Sequence, residues 1–421
     1  MAYDDGGRRY PDGYGPPDAT PPATAQPGDY HGDPAGYGAD YADPFSPARE
    51  SEPPTVDQSY GFDRQSEPNP DLGERLGHVY DEVGERAETN DRLFVHVVLE
   101  VVLLLAAGGA MFWAYRADGS LFRGESLQQI LLAFGATLLV ATASALTLRV
   151  RAVNLGLFAF AWAGLALFTK LHKSFGTPVA AAIAIGVAIG AGLVLALLIL
   201  LLKAPGWAAG LAVGFGLYAA VTLVKVPAAV PDFGLDLGGR AIIVVGVALA
   251  LSLVGGVVGA LPGTRRILGA CRDHVPGAKR TRGAVTLTLF GTVGAATLAG
   301  AAGVLLALSL PAGASTGGGT RLTVLGYAGL GLAAALLGGT SALGRRGGFV
   351  GTILATGLLF GVYLLTVAHE WRTDLSVVIG GGLIVGLVVS WLVELLGRPD
   401  PVPADYQTDT THKDLYVPTY R

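Results

Sequence analysis

The sequence predicts an all-α fold, a polytopic transmembrane helical bundle of about ten segments preceded by a disordered tail. Three observations predict it. The chain of 421 residues is 51% hydrophobic and only 15% charged, too apolar for an ordinary soluble domain. From Leu93 onward, apolar runs alternate with short polar breaks. Charge is also divided unevenly along the chain. Residues 1–92 carry 20 Asp/Glu against 7 Lys/Arg, a net of −13, whereas the remainder carries 13 against 22, a net of +9. An acidic tail is thus joined to a mildly basic membrane body.

The tail comes first. Residues 1–92 read as a disordered acidic cytoplasmic tail. Tyr, Gly, Asp and Pro recur without apolar periodicity, as in Tyr10-Pro11-Asp12-Gly13-Tyr14-Gly15-Pro16-Pro17. Such a composition buries too little surface to offset the entropy of ordering. The tail is either a docking or regulatory element or a plain solvated extension, and the composition favours the extension. Residues 71–92 are a candidate short charged helix leading into the membrane. No cleavable signal peptide opens the chain, because the first apolar stretch begins only at Leu93.

Apolar segments follow at 93–115, 127–148, 152–170, 177–202, 207–224, 241–261, 283–310, 322–340, 349–367 and 375–396. A bilayer core of ~30 Å needs ~20 helical residues, and most of these segments meet that length. The runs at 152–170 and 207–224 are short and interrupted by Gly, so each is a candidate broken or re-entrant helix. Residues 397–421 read as a cytoplasmic C-terminal tail. With the N-terminus inside, cytoplasmic loops hold 11 basic residues against 8 in the opposite loops, and six of the 11 sit in the single stretch 262–282. The positive-inside rule then places both termini in the cytoplasm of a cell-membrane protein. Gly is dense within the helices, and small residues let backbones approach closely where lipid gives no hydrophobic drive for association.

Chemistry is sparse. Neither G-x-x-x-x-G-K-[ST] nor a strand–turn–helix G-x-G-x-x-G occurs, and no metal-ligand cluster, paired carboxylates or nucleophile–base set stands out. The lone Cys271 excludes an intrachain disulfide and any multi-thiolate zinc site. The expectation is therefore a chain that is not itself an enzyme, with no cofactor, no metal and no nucleic-acid partner. His96 and Glu100 lie four apart on the first segment and share a face. That pair reads either as a proton relay or as groups reaching the nearby interface. Glu394 lies near the end of the last segment, toward the headgroups.

Three stretches stand out. Asn154-Leu155-Gly156 leads into Phe158, Phe160 and Trp162, a polar amide beside flat apolar rings. The loop 262–282 carries Arg265, Arg266, Gly269 and Arg272, with Pro276-Gly277 interrupting any helix. The run from Leu337 to Thr352 contains Gly338, Gly339, Thr340, Ser341, Gly344, Gly347, Gly351 and Thr352.

That last run closely resembles a signature of the permease subunits of ABC importers for sugars, nucleosides and branched-chain amino acids. The signature reads roughly G-G-T-S-x-x-G-G-x-G-x-x-x-G-T, with Arg345 here where the pattern has a Gly. The stretch Asn154-Leu155-Gly156 resembles that family's early x-N-I-G-x-x-G segment, which helps form the translocation path. The alternative for it is an interhelical hydrogen bond from Asn154 with aromatic packing. By the same resemblance, the loop with Arg265, Arg266, Gly269 and Arg272 would carry the element that couples to the ATPase. It lacks the family's Asn and Ala-Ala pair, and it reads equally as a basic loop on anionic headgroups. The resemblance implies a passage for a small polar solute: a sugar, a nucleoside or an amino acid. It implies as partners a second permease subunit, identical or related, a cytoplasmic ABC ATPase and an extracytoplasmic substrate-binding protein, all at the lipid bilayer. The alternative is a permease-derived membrane scaffold whose cytoplasmic tail recruits partners without transport.

Overall fold

A computed structural model describes residues 93–224, 226–233, 240–261, 263, 264, 267, 268, 281–315, 318–341, 348–370 and 375–396. The chain divides into two units, 1–69 and 70–421, and every described residue belongs to the second. The expected disorder of 1–92, the candidate helix 71–92 and the C-terminal tail 397–421 lie outside the described residues.

Nine α-helices form the described part: α1 (Leu93–Ala117), α2 (Gly124–Arg149), α3 (Leu157–Leu201), α4 (Gly206–Leu223), α5 (Arg240–Ala260), α6 (Arg282–Ser309), α7 (Gly318–Leu337), α8 (Phe349–Ala368) and α9 (Leu375–Leu396). Eight of them are long and apolar enough to cross a membrane, and α7 contributes a shorter apolar stretch, Val324–Leu337. No strand occurs among the described residues, where only an isolated bridge joins Ala229 to Ser315. The molecule is a multi-pass helical bundle, and broad apolar faces on α1, α5 and α9 lie open, as lipid contact requires.

The count of nine corrects the expected ten. Segments 152–170 and 177–202 run together as α3, whose one non-helical residue is Gly176 at φ 73°, ψ 168°. Only glycine takes that conformation cheaply. Pro178 follows at the start of the second arm, where its missing N–H does little harm. The bend is sharp. Gly164 and Ala188 both pack against Gly300 of α6, yet a straight helix would hold residues 24 apart roughly 36 Å from each other. The two arms of α3 therefore fold back and share α6 as a common partner.

α2 is the most buried of these eight spans. Its neighbours include α5: Thr142 Oγ1 of α2, which donates to Leu138 O of its own helix (2.8 Å), lies 3.1 Å from Ser252 Oγ of α5. Such hydroxyl pairs link helices where no water competes. Between α1 and α2, Asp118 caps a 3-10 turn, Gly119–Phe122, by accepting from the Ser120 amide (2.9 Å) and hydroxyl (2.6 Å). Those bonds hold the Asp118 carboxyl below its ordinary range.

Candidate functional site

The Gly-Gly-Thr-Ser run closes α7. Gly339 takes φ 81°, its amide donates to Leu336 O (3.0 Å), and the Thr340 amide donates to Ala335 O (3.1 Å). This pair of bonds is the Schellman cap, which satisfies carbonyls that the helix end leaves open. Gly338 then meets α8 backbone to backbone. A methyl on Gly338 would lie 2.4 Å from the Thr352 amide nitrogen, and one on Gly351 would lie 2.2 Å from Gly338 O. Thr352 Oγ1 folds back to donate to Gly348 O (2.8 Å). The Ser341 hydroxyl donates to the Glu394 carboxylate of α9, while the Oγ1 of fully buried Thr340 has no hydrogen-bond partner among the described residues. Gly338, Gly351 and Thr352 thus make a tight crossing of α7 with α8, while Gly339 and Thr340 cap α7 and Ser341 ties its end to α9. Gly344 and Gly347 lie outside the described residues.

The Asn154 segment is also sealed by glycine. Asn154 is 4% exposed, and its Oδ1 accepts from the Gly156 amide (2.9 Å) while Nδ2 has no hydrogen-bond partner among the described residues. Gly206, Gly210 and Gly214 repeat every fourth residue along one face of α4, and that face lies on the segment. Gly206 abuts Ala152, Gly210 abuts Asn154, and Gly214 abuts Gly156. Leu155 is exposed, and Phe158 is half-buried with its ring 6.1 Å from that of Phe215 on α4. Phe160 and Trp162 are core residues of α3, buried in separate clusters. Arg265, Arg266, Gly269 and Arg272 lie outside the described residues.

A cavity of ≈250 Å³ opens at the other end of the bundle. It lies among the N-terminal turns of α2, the first arm of α3, the C-terminal end of α6, the first half of α7 and the C-terminal half of α8. Ser126, Gln129, Ser309, Tyr327 and Tyr363 bring polar atoms to it, Phe360 brings a ring, and none of its lining residues is charged. The Tyr327 and Tyr363 rings meet edge to face at 6.5 Å. Of the residues singled out in the sequence none lines this cavity, and α3 contributes only Leu165. The available signal was slight: tyrosines and a glutamine on otherwise apolar helices, whose amphipathic side chains suit a part-polar pocket.

Among the described residues no group of three or more His, Cys, Asp or Glu could hold a metal ion. No family model matches the chain, and neither a curated protein nor a solved structure matches it.

Proposed function

We propose that this chain is a membrane permease subunit that forms the passage for a small polar solute, of the type found in ABC importers for sugars, nucleosides and amino acids. The observation that carries the reading is the uncharged, tyrosine-bearing cavity at one end of the bundle, paired with glycine-sealed contacts at the other. A passage alternately open to the two sides of a membrane needs both an open mouth and a closable floor. The resemblance of the Gly338–Thr352 run supplies the family, and ATP hydrolysis would then fall to a separate subunit.

With the N-terminus in the cytoplasm, α1 runs outward and α2 begins on the far side. The cavity then faces the exterior, where a substrate-binding protein would deliver solute. Phenol, amide and hydroxyl groups around a ring-sized space suit a neutral sugar or nucleoside. A zwitterionic amino acid would leave both of its charges without a partner there.

Gentle detergent purification of the tagged chain, with identification of co-purifying polypeptides and an ATP hydrolysis assay, tests the reading. A stoichiometric ATPase with vanadate-sensitive activity is the expected result. Cytoplasmic partners held without any ATPase would sink it and point to a scaffold on a permease-like bundle.

A further inference from the structure

The cavity end is open, whereas the opposite end holds three buried side-chain polar atoms with no hydrogen-bond partner among the described residues. These are Ser144 Oγ, Asn154 Nδ2 and Thr340 Oγ1. Ser144 lies in the C-terminal part of α2, Asn154 in the link from α2 to α3, and Thr340 just past the C-terminus of α7. α7 runs alongside α2 there, since a methyl on Gly331 would lie 2.8 Å from the Ala141 amide nitrogen. An unmet buried polar group costs about 1–3 kcal/mol, so a cluster of them in a single arrangement asks for another arrangement that satisfies them.

The contact that buries Asn154 has the form of a separable face. Three glycines of α4, four residues apart, lie flat against residues 152–156, and Ala209, Val213 and Leu217 of α4 join the cluster that holds Ala152. A methyl at Gly214 would lie 2.9 Å from Gly156 Cα, and one at Gly206 would lie 2.7 Å from Ala152 Cα. Close backbone approach of this kind gains dispersion energy only while the surfaces touch. Asn154 Oδ1 is already committed to the Gly156 amide, so the link keeps its own turn when α4 withdraws. The two Nδ2 hydrogens are what withdrawal would release to water or to a passing solute.

We propose that the contact between residues 152–156 and the Gly206–Gly210–Gly214 face of α4 is the inner gate of the passage, closed in this structure, and that Asn154 Nδ2 becomes a solute-facing donor when it opens. This rests on the permease reading given above. It also goes beyond that reading, by placing the moving boundary on α4 and by giving the orphaned amide its second environment. Opening requires only a small fraction of molecules at any moment, because a minor state populated at 0.1–10% is the usual range for such equilibria.

The single native cysteine makes the test direct. In a Cys271→Ala background, cysteines are placed singly at Ala152 and Asn154, at Ala299 in the packed α3–α6 core as a closed control, and at exposed Leu155 as an open one. Membrane-impermeant maleimide is applied to intact cells and to inside-out vesicles prepared from them, where any native partners remain bound. The A152C and N154C variants should react in inside-out vesicles on the order of tenfold faster than A299C, and should stay unreactive in intact cells. Two independent reporters guard against one variant failing to fold. Reactivity no greater than that of A299C at both positions overturns the gate, as does labelling from the outer face. An ATPase found with the chain alongside inert reporters would reject the gate while sparing the permease reading. Labelled reporters without any ATPase would do the reverse.

Discussion

At the scale of single residues, the α7 cap shows why one glycine cannot be exchanged. The same Schellman pair of bonds ends α2, where the Arg151 amide donates to Leu148 O (3.1 Å) and the Ala152 amide to Thr147 O (3.0 Å), with Arg151 at φ 51°. An arginine therefore tolerates the left-handed position in one cap, whereas Gly339 holds it in the other. The difference is a neighbour: a methyl on Gly339 would lie 3.0 Å from Leu99 Cδ2 of α1. Gly339→Ala thus combines a left-handed penalty of about 1–2 kcal/mol with crowding against α1. Thermal unfolding of the purified chain in detergent should show a clearly lowered midpoint. An unchanged midpoint would mean that the cap does not hold the helix end.

At the scale of elements, packing separates glycines that the sequence leaves alike. Gly206, Gly210 and Gly214 are spaced by four on α4, and Gly186 and Gly190 are spaced by four on α3. The first set is pressed against residues 152–156, while open space surrounds the second. Gly214→Ala should destabilise by about 1–3 kcal/mol through overpacking, and Gly186→Ala should be neutral or gain up to about 1 kcal/mol from helix propensity. Equal effects in a detergent melting experiment would refute the assignment of packed and open faces. The same pair shows what was legible beforehand. Apolar runs of about twenty residues announce helices on their own, so the segments were readable from length and composition. Which glycine faces protein depends on a neighbour far away in the chain, which spacing does not encode. The reversal at Gly176 was hidden for a related reason, since Ser174-Phe175-Gly176-Thr177-Pro178 reads as a break whether the helix resumes at once or after a loop. The family-like run was visible as residues, whereas its role as a cap and a backbone crossing appears only in three dimensions.

At the scale of the whole molecule, the open cavity and the sealed link lie at opposite ends of one helical body, and that arrangement sets the last prediction. The cavity carries no charge, motif or metal set, so only its tyrosines and glutamine hinted at it in the sequence; it exists because several elements far apart in the chain meet around a shared space. If it is the mouth of the passage, filling it should stop solute without disturbing the bundle. Ser309 is the position to fill. It ends α6, is half-buried, and its hydroxyl only returns to Leu306 O of its own helix (2.8 Å). A phenyl ring in its place enters the cavity while removing no contact between helices. Ser309→Phe should lower uptake of a labelled pentose or nucleoside by tenfold or more, equivalent to about 1.4 kcal/mol, with little change in melting temperature. Leu325→Phe on the exposed face of α7 supplies the matched addition of bulk outside the cavity and should leave uptake unchanged. Asn154→Ala, far from the cavity, should also reduce uptake in a folded protein, because it removes the donor that the passage would present once its floor opens. Full uptake by a folded S309F variant would show that the cavity is not the entrance. Full uptake by N154A with a blocked S309F would keep the mouth and remove Asn154 from the path.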